Sequence, residues 1–425
     1  ALSANERIAE FLDFAIQAKF AYVNKLTRDA RTALDKEGNS VEKRRINRFC
    51  EAAALTLALA LLLALIGMGL TERVHLGTWG GKTEAVAFMP ISPVWGLALL
   101  LGGVLAALAL FALLKRSAHL CWALAALWGA LAVMLAVSFG TKQIYDAAIV
   151  QEAAELFARG NYKMMRADYL NAYPYQLGVC LPMETLLRLF PGLNLNLTMQ
   201  LANVAMALGT AAAVAALGQT MFDGERTARA CEAVGLLIWP ALLFCQQVYG
   251  TLPMLFFVSL ALLCYAKYVK TRRRALGAAY ACLMAAAYAM KINAAVALIA
   301  VTICAVLDAI ESRKLEPLAY AALAIVLSLL LMRAVIGQYE RRSGVTLNGG
   351  VGALARLTMG LQEGGGAAGW FNCYIEQFFP FDVSAEQQKA VVMADLQKSM
   401  EQFRENPASA RAFAAEKFFS QWLEP

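Results

Sequence analysis

The sequence predicts an all-α polytopic membrane protein of about nine transmembrane helices with juxtamembrane helices, and three observations carry that reading. First, 60% of the 425 residues are hydrophobic and the mean hydropathy is +0.54. Second, apolar runs of the length needed to cross a bilayer, about 20 residues, recur along the chain. Third, lysine and arginine cluster at alternate ends of those runs. The runs are 51–70, 94–114, 119–139, 195–217, 230–248, 252–269, 275–292, 293–310 and 317–336. Only Lys291-Ile292-Asn293 divides the stretch 275–310.

The charge pattern predicts orientation, because cytoplasmic loops carry the excess of Lys and Arg. Lys43, Arg44, Arg45 and Arg48 precede the first run. Lys115-Arg116, Arg226 with Arg229, Lys267 to Arg274, and Arg313-Lys314 follow even-numbered ones. With nine crossings all of these fall on one side, the cytoplasmic side of a plasma (cytoplasmic) membrane, with the N-terminus inside. The net charge of +7 is then topological and points to membrane lipids, with no nucleic-acid partner.

Residues 1–49 form a polar, cytoplasmic segment. Within 7–26, Ile8, Phe11, Leu12, Ile16, Phe20 and Val23 recur at three- and four-residue steps, the pattern of an amphipathic helix lying on the membrane face or docking a partner. Residues 35–40 read as a linker. Opening at Ala1 on polar sequence predicts no cleavable signal peptide. Residues 50–118 form an accessory transmembrane hairpin over the outer loop 71–93. Residues 119–336 are the transmembrane core, interrupted by a long outer loop, 140–194. In that loop, 143–159 places Ile144, Ala147, Ala148, Ala153, Leu156 and Phe157 on one side, which suits a helix in the interface. Residues 174–190 are apolar but short and carry Glu184 and Arg188, so they predict a second juxtamembrane helix. Composition changes at Gly337. An extracytoplasmic region, 337–425, follows with aromatics from Trp370 to Phe381 and helices at 384–404 and 407–422.

Several chemistries are excluded or weakly supported. Two histidines, His75 and His119, make a histidine-based metal site improbable chemistry. A divalent metal on carboxylates alone has no support from spacing, so no metal ligand is assigned. The nine cysteines form no C-x-x-C pair, and Cys180 and Cys373 are the two placed outside, where an oxidising compartment would let them pair.

The polar stretch between runs carries the candidate chemistry. Asp146 falls a few residues beyond a helix end, at the water–lipid boundary, where a carboxylate faces polar substrate and headgroups together. Gly160-Asn161-Tyr162 and Tyr173-Pro174-Tyr175-Gln176 follow, and the helix they open ends at Leu189-Phe190-Pro191-Gly192. Asp168 and Glu152 are possible helpers. Lys291 stands alone in an apolar stretch, where a charge is by default a functional-site hypothesis, although snorkelling to the interface also explains it. Arg166, Lys163 and Arg188 are either anchors to anionic lipid or phosphate contacts. Tyr173, Tyr175 and Gln176 either line a pocket or form an interfacial aromatic belt, and Trp370, Phe371 and Asn372 either contact substrate or pack the outer region.

The order and membrane placement of these residues resemble the GT-C class of membrane glycosyltransferases, in particular the protein O-mannosyltransferase and aminoarabinose-transferase superfamily. The resemblance covers roughly 119–380 and also draws on Gln247-Val248-Tyr249-Gly250 and Met290-Lys291-Ile292-Asn293. It implies an inverting transfer of sugar from a polyprenyl-phosphate donor to a lipid, glycan or protein acceptor on the outer face. It casts Asp146 as the base, with Asp168 as helper. Lys291, Arg166, Tyr173, Tyr175, Gln176, Tyr249 and Trp370 would bind substrate. Two positions depart from the pattern: Ala147 stands where many relatives have Glu, and 246–251 holds no carboxylate. The alternatives are a transporter or lipid flippase, or a non-catalytic subunit of a cell-envelope assembly. Most runs are clean of buried charge, and polarity collects on one face, which favours an interfacial enzyme.

Overall fold

The structure is a computed structural model that describes residues 56, 59–79, 83–114, 118–222, 231, 239–362 and 368–422. The expected helix over 7–26, the linker 35–40, the basic clusters at 43–48, 115–116 and 226–229, and most of the run 230–248 lie outside those residues. The chain divides into two compact units, 1–64 and 65–425.

The protein is an integral membrane protein. Five of its described helices are long and apolar enough to cross a bilayer: His119–Phe139, Leu195–Phe222, Thr251–Thr271, Ala294–Ser312 and Glu316–Ser343. Three other apolar helical stretches are shorter, Leu59–Gly69 (α1), Pro93–Ala109 within α2 (Pro93–Leu114), and Arg274–Met290. The last has 17 residues and at about 1.5 Å per residue falls short of a hydrocarbon core of about 30 Å. Five of the nine expected crossings are thus candidate spans among the described residues, and the runs 51–70 and 230–248 are described only in part.

The helices that matter for the site are α3 (Ala118–Phe139), α4 (Tyr145–Ala158), α5 (Asp168–Ala172), α6 (Leu177–Leu189), α7 (Leu195–Phe222), α8 (Trp239–Phe244), α9 (Thr251–Thr271), α10 (Arg274–Met290), α11 (Ala294–Ser312) and α12 (Glu316–Ser343). Beyond them come α13 (Ala353–Met359), α14 (Ala385–Glu405) and α15 (Pro407–Trp422). Helix α9 packs between α7 and α10, α12 packs on α10 and α11, and α3 flanks α7. Small residues make this close approach possible. Tyr280, Ala281, Met284, Ala287, Ala294, Ala305, Ala321 and Ala324 form one core among α9 to α12.

Three expectations need correction. The loop 71–93 is a two-stranded antiparallel hairpin, β1 (Glu72–Trp79) with β2 (Thr83–Pro90), in register from Glu72 opposite Pro90 to Trp79 opposite Thr83. Val74, Thr78, Thr83 and Val86 are the β-branched residue types in that sequence that favour strand, and the hairpin is an addition to a helical fold. Helix α12 runs through Gly337 and ends instead at Gly344, whose φ of 69° caps it in the left-handed region, the usual helix stop. The run 230–248, of which 231 and 239–248 are described, is not helical to its end. Helix α8 ends at Phe244, and the non-helical 245–248 segment is held by side chains. Asn203 Nδ2 donates to the Cys245 and Gln247 carbonyls (3.3 and 2.9 Å). Gln200 and Gln143 donate to the Gln246 carbonyl (3.1 and 2.9 Å), and Gln143 accepts from the Val248 N–H at 2.8 Å. Broken backbone at membrane depth persists only when such partners satisfy it.

The juxtamembrane and outer helices match their expected positions closely. Helix α14 starts on a capping box, Ser384 and Gln387 each bonding the other's backbone, the arrangement that satisfies two orphan N–H groups. Cys180 is buried with its sulfur toward the Val150 carbonyl (3.6 Å), and no disulfide joins it to Cys373.

Candidate active site

Four chain segments meet at one end of the α9 to α12 bundle. The Cβ that an alanine would add at Gly250 would lie 1.9 Å from the Met290 carbonyl oxygen, and at Gly178 1.9 Å from the Ala289 oxygen. Glycine at both positions lets the backbone before α9, and helix α6, press onto the end of α10. The break after α10 then places Lys291, whose Nζ donates to Thr251 Oγ1 at 2.8 Å and stands 4.8 Å from the Tyr249 ring centroid. The opposite end of the bundle carries the Arg272–Asp308 ion pair, with two hydrogen bonds of 2.7 and 2.6 Å. Lys267, Lys270, Arg273, Arg274, Arg313 and Lys314 belong to the same end by their helix positions.

Asp146 enters from α3 through a short extended link. Thr141 and Gln143 bond to Asn196, Gln200 and the 246–248 backbone, so the link is tied to α7. Tyr145 is then forced to a φ of 49°, a left-handed conformation that costs a non-glycine residue about 1–3 kcal/mol. Such strain persists where surrounding contacts over-determine it, and here it precedes the carboxylate in the first turn of α4.

Asp146 keeps an exposed face yet is crowded on the other side. Burial raises its pKa, opposed by hydrogen bonds from the Tyr169 and Tyr249 hydroxyls and by the Lys291 charge. Burial lowers the Lys291 pKa and Asp146 pulls it back up. Gln176, buried, donates to the Tyr169 hydroxyl at 3.4 Å and to the Tyr249 hydroxyl. Tyr249 is pushed up to about 12, first by burial and then by the Asp146 charge, so it stays a neutral donor at ordinary pH. Tyr173 and Tyr175 also feel the Asp146 charge. A carboxylate, a group of phenols and an ammonium therefore converge.

Sequence reasoning missed one member, Arg356 on α13. Its guanidinium lies 5.7 Å from the Tyr173 ring centroid and 5.0 Å from that of Tyr175, within cation–π range. Its Nε is buried and finds no hydrogen-bond partner among the described residues. The only sequence signal was a lone basic residue between a Gly-Gly pair and the aromatic stretch. Gly349 and Gly350, both at a φ of 84°, deliver α13 to this place. At Gly350 a Cβ would sit 2.6 Å from Pro174 Cδ, so only glycine lets the chain pass. Beside it, the Val351 N–H donates to the Ala172 carbonyl and the Asn348 N–H to Asn171 Oδ1, both at 2.9 Å.

The aromatic segment packs on the loop helices. Phe379 meets Tyr173 at 5.3 Å, and Asn171 Nδ2 donates to the Phe379 carbonyl at 2.8 Å. Other sequence candidates lie elsewhere. Trp370 donates from Nε1 to Ser420 Oγ at 2.8 Å and so packs on α15. Arg166 and Asp168 are exposed on the turn before α5 and at its start. Glu152 pairs with Lys163 at 3.9 Å, with both side chains mostly exposed. Arg188 belongs to a network around Glu184. No group of three His, Cys, Asp or Glu side chains suited to a metal exists among the described residues.

A carboxylate beside Lys291 can take a proton from a hydroxyl while that ammonium, and Arg356 on the far side of Tyr175, offset the charge of an anionic leaving group. No family model matches the chain, and comparison with the curated proteins and with the solved structures finds no match either, so the cluster of Asp146, Lys291 and Arg356 among tyrosines is what defines the site.

Proposed function

We propose that the protein transfers a glycosyl unit from a polyprenyl-phosphate donor to an acceptor hydroxyl at the extracytoplasmic face of the plasma membrane, in the manner of the GT-C glycosyltransferases. The observation that carries the reading is Asp146 facing Lys291 across Tyr249, at the bundle end opposite the basic loops. The positive-inside bias makes that end the outer one, with the N-terminus cytoplasmic.

Asp146 accepts the acceptor hydroxyl's proton as its oxygen bonds to the anomeric carbon. The bond from that carbon to the phosphate oxygen breaks on the opposite side, which inverts the configuration. The electron pair leaves with the lipid phosphate, whose charge Lys291 and Arg356 offset. Tyr169, Tyr175 and Gln176 supply hydroxyl and amide groups for the sugar. No metal has a role in this scheme.

The test is sugar transfer from a labelled polyprenyl-phosphate donor by the protein in lipid nanodiscs. Retention of the label on the donor across lipid, glycan and peptide acceptors, together with donor movement between leaflets, would move the protein to the flippase class. Lys291→Met should raise KM for the donor more than it lowers kcat, because a phosphate contact acts in ground and transition states alike. An unchanged KM would remove Lys291 from the donor site.

The pH profile follows from Asp146. Only the ionised carboxylate accepts a proton, and burial raises its pKa. The rate should therefore fall on acidification at a pH above about 3.9, the ordinary aspartate value. A profile that stays flat down to that value contradicts the assignment.

A further inference from the structure

A second recess lies away from Asp146, in the C-terminal region. It is a cavity of about 660 Å³ between the Leu361–Gln362 turn, α14 and the start of α15. That volume is typical of small-molecule sites. Asp395, Ser399, Gln402 and Asn406 line it at helical spacing along one face of α14 and its C-cap, with Gln362 opposite and Phe403 as the large apolar surface. Among the described residues of the lining, Lys398 is the one cation, against Asp395 and Glu405. The recess therefore does not favour a phosphate or any other anion.

We propose that this recess binds a neutral oligosaccharide, and that the oligosaccharide is the acceptor side of the transfer proposed above. Planar amides and carboxylates offer paired donors and acceptors that match vicinal hydroxyls. Phe403 offers a ring face to the C–H groups of a sugar, and its other contact is with Phe413 at 5.2 Å. A peptide is less well served. Among the described residues its walls are helices and one turn, with no strand whose edge could pair with a peptide backbone. The recess also connects to the catalytic cluster. Asp395 accepts from the Tyr374 hydroxyl at 2.8 Å, Tyr374 contacts Phe378 at 5.7 Å, and the next residue, Phe379, meets Tyr173 at 5.3 Å.

The binding part stands apart from the catalytic reading, and only the acceptor role rests on it. The full chain in nanodiscs is titrated with linear tetrasaccharides of glucose, mannose and N-acetylglucosamine, with a tetrapeptide and inorganic phosphate alongside, followed by saturation-transfer NMR and calorimetry. One tetrasaccharide should bind with Kd below about 1 mM. Gln402 is exposed on α14, so Gln402→Ala should leave the fold intact and weaken that binding about three- to tenfold, the worth of a hydrogen bond or two. Gln402→Trp, which fills the recess, should abolish it. Binding of the peptide or phosphate in place of every sugar, no sugar binding at all, or affinity indifferent to both Gln402 variants would each overturn the proposal. A tetrasaccharide that binds here while Asp146→Asn keeps full transfer activity would sink the catalytic reading and leave the recess standing.

Discussion

Asp146→Asn should cut glycosyl transfer by about 10²–10⁴, the usual worth of a positioned general base, while expression and thermal stability stay near those of the parent. The substitution keeps the size of the side chain and can still accept from the Tyr169 and Tyr249 hydroxyls, which act on Asp146 in the fold. What it removes is the negative charge and with it the proton acceptor. Asp168→Asn is the control. Asp168 is exposed at the start of α5, so its loss should cost far less. The measurement is single-turnover transfer from the labelled donor, so that slow product release does not mask the chemistry. Equal activity in Asp146→Asn and the parent would withdraw the role of base. A loss accompanied by a lowered unfolding temperature would instead mark Asp146 as a structural partner of Lys291.

Glu184→Ala should destabilise the protein by about 3–5 kcal/mol, the range for breaking a buried ion pair by removing one partner. The Glu184 side chain is 2% exposed and pairs with Arg188 at 2.7 Å and with Arg342. It also accepts from the Tyr339 hydroxyl at 2.5 Å. Arg188 in turn donates to the Phe157 carbonyl at 2.9 Å. The network thus joins α6, the end of α4 and the last turns of α12. Burial alone would raise the Glu184 pKa, but the Arg342 and Tyr339 bonds and the Arg188 contact bring it below the ordinary value. With the folded pKa depressed, the contribution is complete above the unfolded value of about 4.3. It is lost as pH falls through the folded one. Urea unfolding in mild detergent at neutral pH and again under acid conditions reads both parts. A Glu184→Ala protein as stable as the parent at neutral pH would show that the network contributes nothing.

Much of the fold was legible because it follows from one-dimensional patterns. Long apolar runs marked α3, α7, α9, α11 and α12, and short amphipathic stretches marked α4, α6, α14 and α15. Gly337 misled because a glycine ends a helix only where a left-handed residue is needed, and Gly344 filled that need. The break after α8 was hidden because its partners, Gln143, Gln200 and Asn203, are far away in sequence. In a run such as 195–217, amides at Asn196, Gln200 and Asn203 were the available signal. The hairpin at 72–90 was not legible because Gly77, Gly80, Gly81 and Pro90 give that stretch the look of an irregular loop. In the site, Asp146, Tyr249 and Lys291 were marked by polar identity at span ends, and the fold brings them together. Arg356 was not legible because only a tertiary contact through Gly350 gives it a place.

That contact also dates the site within the life of the molecule. The bond from Val351 to Ala172 joins chain positions whose synthesis, at about 5–20 residues per second, is separated by roughly ten to forty seconds. When that interval begins Asp146 and Tyr169 have been made, but Tyr249, Lys291, the arginine near Tyr173 and Tyr175, and the aromatic segment do not yet exist. On the proposed function, a nascent chain would be inert toward donor lipids, and competence would arrive only when the last fifth of the polypeptide docks. A truncation just before Gly349 should insert and pack its helices normally and yet stay permanently in that immature state.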